Sequence, residues 1–212
     1  MFTRGGLYVL CFLLKQSIIN RKRFIIFMVI NKMFVQNFTI FTGLLVLASY
    51  FYGVSKSSDP ALLWGGVPLS WQSYIIPFMF VAAAGYVLYW WTVFFAIDEP
   101  ILESLTWPWA ESDGNGARRL LLAYSLFLIP SALWLESTSF HIQNDYAWTP
   151  ILVVGMLFLV SIGNILLGLL AYNSYRNDID GGSFMLIGSI MISIQCIVND
   201  LLIWSYKFPW FD

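Results

Sequence analysis

Apolar residues run along the chain in five long blocks, at 37–55, 72–97, 117–135, 150–172 and 183–206, with charged and turn-forming residues gathered at or between their ends. A helix rises 1.5 Å per residue, so about 20 residues cross a hydrocarbon core roughly 30 Å thick. Lipid offers the backbone no hydrogen-bond partner, and helix is the state that satisfies each block from within. The pattern therefore predicts an all-α, polytopic integral membrane helix bundle. Its five transmembrane helices fill a membrane domain over 37–207, followed by a short tail at 208–212. The second block exceeds the required length and is expected to tilt or protrude. Pro77 and Pro130 are expected to bend or end regular helix where they fall.

The first 36 residues follow another pattern. Gly6–Leu14 and Phe24–Ile30 are apolar but short, and Lys15 with Arg21, Lys22 and Arg23 separates them. A span through that cluster would carry several charges, each costing about 2.5–3.5 kcal/mol at the bilayer centre. A basic interfacial helix lying on an anionic leaflet is the lower-energy arrangement. No small-residue cleavage site follows Gly6–Leu14, which argues against a secretory signal; the acid-free, basic composition leaves a mitochondrial presequence as the alternative.

Composition excludes a soluble reading. The chain of 212 residues is 59% hydrophobic and 11% charged, with a mean hydropathy of +0.73, whereas soluble domains carry roughly 25% charged residues. The net charge of −1 hides a segregation, because no acidic residue precedes Asp59. With five spans and a cytoplasmic N-terminus, Arg4, Lys15, Arg21, Lys22, Arg23, Lys32, Arg118, Arg119 and Arg176 share the cytoplasmic side, leaving Lys56 and Lys207 opposite. That asymmetry predicts N-in and C-out, in a plasma membrane or endomembrane rather than a mitochondrion. The ten tryptophans lie at or near block ends, where an apolar ring with a polar N–H is best placed. This topology puts Trp64, Trp71, Trp134, Trp148, Trp204 and Trp210 at the outer boundary, and Trp90, Trp91, Trp107 and Trp109 at the inner one.

Between the second and third blocks, Asp98-Glu99-Pro100 predicts a helix start. Ile101, Leu102 and Leu105 would then rest on the membrane, with Asp98, Glu99 and Glu103 as a solvated polar face or an acidic patch. Candidate chemistry centres on Asp200, an acid inside the fifth block, since intramembrane acids face other helices or water. At 3.6 residues per turn, Ser189, Ser193, Cys196 and Asp200 form one stripe, with Gly188, Gln195 and Asn199 beside it. Ser161, Asn164, Gly168 and Ala171 give the fourth block a matching face of small and polar residues. The two faces either pack together, with Asn164 and Gln195 bonding between helices, or enclose a polar pocket. Glu136, His141 and Asp145 form a second polar cluster beyond the third block, on the side of Asp200. The sequence holds one histidine and no paired-His or HExxH spacing, so neither a metal nor a cofactor is expected.

Walker A, GxGxxG, GxSxG and TVGYG signatures are absent, and no basic face suits nucleic acid. Cys11 and Cys196 lack metal-ligand or redox spacing. The leading expectation is small-ligand or ion binding and transport through a cavity between the fourth and fifth blocks. Asp200, Asn199, Gln195, Ser193, Ser189 and Asn164 would line it, with Tyr86, Tyr89 and Trp90 as apolar walls. The runner-up is an accessory or scaffold subunit, whose polar stripes meet its own helices, a second copy or a membrane-complex partner. A third reading is an intramembrane lipid-modifying enzyme that uses Glu136, His141 and Asp200, and it requires those side chains to converge.

Overall fold

In a computed structural model, residues 30–144 and 146–209 are described. The chain divides into Met1–Asn31 and Lys32–Asp212, and the architecture below is that of the second unit. The interfacial helix expected in the N-terminal segment, the basic cluster, Cys11, Asp145 and Trp210 lie outside the described residues. Every regular element among the described residues is helical, and five helices are long and apolar enough to cross a membrane: Lys32–Lys56, Leu69–Ala96, Gly116–Asn144, Thr149–Arg176 and Gly182–Lys207. These are the first to fifth spans of an integral membrane helix bundle. Each contains the core of an expected block, and most run on beyond it into the interface. The first begins at Lys32, so residues 32–36 belong to it. Pro77 and Pro130 sit inside continuous helices rather than ending them.

Successive spans run antiparallel, which gathers their ends into two faces. At the C-terminal face, Val67, Ile75, Val153, Leu157, Trp204 and Phe208 form a buried cluster, with Trp64 and Trp134 packed against it. Trp204 stacks on Phe208 at 4.8 Å and meets Trp134 edge-on at 5.4 Å, while its indole N–H donates to the Leu63 carbonyl at 3.3 Å. Trp204 is therefore a core residue, not a lipid-facing belt residue. Trp71, Trp148, Trp91 and Trp109 remain exposed on the bundle surface, as belts require.

At the opposite face the connection after the second span is tied down by polar side chains. Lys32 donates to the Ile97 carbonyl, Asn173 to Thr106 at 3.1 Å, and Arg119 to Leu105 at 3.0 Å. The short helix Glu99–Ser104 begins where expected. Leu102 and Leu105, however, are fully buried in the protein rather than laid on the membrane. Glu103 accepts from the Ala117 backbone N–H at 3.4 Å, so this acid caps the third span, where a negative charge suits the helix dipole. The tight turn before the fifth span uses Gly181 at φ 79°, a left-handed conformation that glycine adopts without steric cost.

Close helix approach sets the packing. A Cβ on Gly163 would strike the backbone of Ala123, Leu126 and Phe127, which seats the fourth span on the third. A Cβ on Gly188 would lie 2.6 Å from the Gly85 carbonyl oxygen, and one on Gly85 would lie 2.7 Å from the Gly188 carbonyl oxygen. The second and fifth spans thus cross backbone to backbone at mid-depth, as small residues permit in lipid.

Candidate functional site

The fifth span is an α-helix only to Ser193; from Ile194 to Trp204 it is a π-helix, before one last α turn at Ser205–Lys207. π-turns pair residues five apart, are mostly single, and recur at functional sites. An eleven-residue run therefore marks this segment out. It also changes which side chains meet. Gln195 Nε2 donates to Asp200 Oδ1 at 2.7 Å, and Asn199 Nδ2 donates to Gln195 Oε1 at 2.9 Å. The carboxylate fixes the orientation of the Gln195 amide, which in turn presents its oxygen to Asn199. Gln195 and Asn199 are buried, and Asp200 is half-buried. Asp200 also lies within electrostatic range of Tyr50 on the first span and of Cys196. An α-helical projection leaves Gln195 and Asp200 on neighbouring stripes; the wider turn joins them.

Ser189, Ser193 and Asn164 belong to a different contact. Asn164 Nδ2 donates to Ser193 Oγ at 2.8 Å, and Ser193 donates to the Ser189 carbonyl at 2.7 Å. Ser161 donates to the Cys196 carbonyl at 3.1 Å, and Gly168 faces Ser189. The fourth and fifth spans therefore meet face to face with Asn164 bonding across the seam, whereas Gln195, expected to bond between helices as well, finds both partners on its own helix. Asn164 is fully buried, and its Oδ1 has no partner. The residues expected to share one cavity are split between this seam and the π-helical network.

An open groove of about 260 Å³ lies instead between the second and fifth spans, lined by Trp71, Tyr74, Ile75, Phe78, Asn199 and Ile203. Below it the seam closes at Gly85 and Gly188, so the two helices spread apart toward the C-terminal face. Asn199 brings the one amide side chain to the lining and belongs to the network as well. Tyr86, Tyr89 and Trp90 lie past the Gly85 crossing, away from Asp200. Tyr89 donates to the Leu167 carbonyl at 3.0 Å, and Trp90 to Thr39 Oγ1 at 2.8 Å. These aromatics brace other spans and do not wall the groove.

Of the second polar cluster, the two described members, Glu136 and His141, do not converge. The third span extends to Asn144, so Glu136 and His141 are helical positions five residues apart, on different sides of an α-helix. Glu136 is exposed. His141 is buried rather than solvated, with Nδ1 2.7 Å from Thr149 Oγ1 and its ring 5.0 Å from Phe208. Among the described residues no three His, Cys, Asp or Glu side chains gather as a metal site would require.

Sequence reasoning missed the groove and Lys207 above it. The Lys207 ammonium sits 5.0 Å above the Trp71 ring and 5.2 Å from that of Tyr206. The i, i+8 spacing of Asn199 and Lys207 was legible, but of the facing residues Trp71 read only as an outer-boundary tryptophan, and nothing in the spacing singled out Tyr74 or Phe78. No protein-family model, no curated protein and no solved structure matches the chain.

Proposed function

We propose that this membrane protein binds a small amphiphile, which reaches the groove between the second and fifth spans from the lipid phase and sets a polar group on Asn199. The carrying observation is that Asn199 lines an otherwise apolar groove while being held in place by Gln195 and Asp200. An amide has two donor hydrogens and an acceptor oxygen, so the single bond to Gln195 leaves capacity for a ligand. Ligand sites of this kind are mostly apolar, with a few fixed polar groups.

Binding is favoured over conduction because the seams flanking the network close at Gly85–Gly188 and at Asn164–Ser193. Asp200 acts in this reading as the anchor of the network. The basic bias along the chain supports placing the C-terminal face, and with it the groove, on the non-cytoplasmic side.

Delipidated protein in detergent, titrated with monoolein, tests the reading. A saturable rise in Tm is expected. Asn199→Leu should weaken it, and Ile203→Trp, which fills the groove, should remove it. A rise that never saturates and is equal in both variants would sink the proposal.

A further inference from the structure

We infer that the groove takes an anionic glycerophospholipid of the leaflet on the C-terminal face, with its phosphate on Lys207 and its acyl chain along Ile75, Phe78 and Ile203. This rests on the amphiphile-binding reading and names the class of ligand. Trp71 is the connecting residue, because its ring both lines the groove and lies under the Lys207 ammonium at 5.0 Å. The cation is thus held at the groove's upper rim, at the end of the fifth span. No carboxylate pairs with it among the described residues.

Depth and charge run in the order that a phospholipid requires. Lys207 and Trp71 lie at span ends, where headgroups and indole rings meet. Asn199 lies eight residues deeper, at most about 12 Å at the α-helical rise because much of the stretch is π-helical, where the ester carbonyls of a lipid whose phosphate sits on Lys207 can accept its remaining N–H. Ile75, Phe78 and Ile203 supply an apolar wall for the chain, and the Gly85–Gly188 crossing ends the groove at mid-depth. A zwitterionic lipid can use the same wall. The Lys207 charge adds a preference for a net negative headgroup, about fivefold for one basic residue near the surface.

The test uses the full chain in phosphatidylcholine nanodiscs doped with phosphatidylglycerol that carries a diazirine on one acyl chain. A parallel sample carries the same photoprobe on phosphatidylcholine, and cross-linked peptides are identified by mass spectrometry. Labelling of 71–78 and 199–206 should be about fivefold higher with the anionic probe. Lys207→Gln, a change at a helix end, should lower it to the phosphatidylcholine level without altering labelling by the zwitterionic probe. Equal labelling by both probes, or a preference that survives Lys207→Gln, overturns headgroup recognition while leaving groove binding intact. Groove labelling by both probes no stronger than that on the exposed face of the first span overturns the amphiphile reading itself.

Discussion

The fifth span makes two seams of opposite character. Against the fourth span it presents Ser189 and Ser193, whose hydroxyls are occupied, and the helices bond directly through Asn164 and Ser161. Against the second span it crosses closely at Gly188, then turns π-helical and opens a groove walled by Trp71, Tyr74 and Phe78. Polar residues are present at both. What separates them is whether the polar groups face each other across the seam or, like Asn199, are held by their own helix beside a gap. An intramembrane polar stripe thus signals a site only where its partners come from the same helix and leave capacity over.

The largest effect should come from forcing the second seam apart at its closed point. Gly188→Leu would set a side chain against the Gly85 carbonyl and against Tyr89, whose Cβ and N are each 3.1 Å from the new Cβ. Backbone cannot rotate aside as a side chain can, so the loss should fall near the upper end of overpacking costs, about 3 kcal/mol. Reversible unfolding in mixed micelles measures it. A loss under about 1 kcal/mol would mean that the crossing is not what holds the two spans together.

A middle-sized pair of substitutions compares the seams directly. Gln195→Leu strips Asp200 of its donor and Asn199 of its acceptor, leaving polar groups unpaired at a cost of about 1–3 kcal/mol. Asn164→Leu also removes one bond, yet it removes a buried carbonyl oxygen that has no partner. Interhelical bonds in membranes average only about 0.6 kcal/mol, so the two terms nearly cancel and stability should stay within about 1 kcal/mol of wild type. The same micelle assay reads both. Equal losses would erase the distinction between a seam and a site.

Legibility followed the same division. The five spans were readable because lipid imposes length and apolarity on every residue that crosses it, and α-helical spacing made the Ser161–Asn164 face a match for Ser189–Ser193 while leaving packing and an enclosed pocket as alternatives. Asp200 was singled out by its cost in lipid, but its partner was not, because projection at 3.6 residues per turn fails once the helix widens at Ile194. His141 read as a loop residue because the apolar block ends at Leu135. In the structure the Ser137 and Thr138 hydroxyls donate to Leu133 and Trp134 carbonyls one turn back, and the helix continues. The groove had no sequence signature, because its walls are aromatics that would face lipid equally well.

The smallest effect concerns a carboxylate outside the bundle and sharpens the contrast with Asp200. Asp113 lies in the exposed turn before the third span and accepts from Arg119 Nη1 at 2.8 Å and from the Asn115 N–H at 3.1 Å. The hydrogen bond from Arg119, then those from Asn115, hold its carboxyl below the ordinary 3.8, at about 2. The folded state therefore favours the ionised form. Its contribution is fully present above pH 3.8 and is lost as the pH falls through about 2. Water screens so exposed a pair, so the change belongs in a titration curve rather than in a melting temperature. An NMR titration of the Asp113 carboxyl carbon should give a value near 2 in the wild type and a return toward 3.8 in Arg119→Gln. An unchanged value would assign the shift to the Asn115 turn alone. Arg119 would then serve only to hold the Leu105 carbonyl, a tie within the fold like that of Asn164.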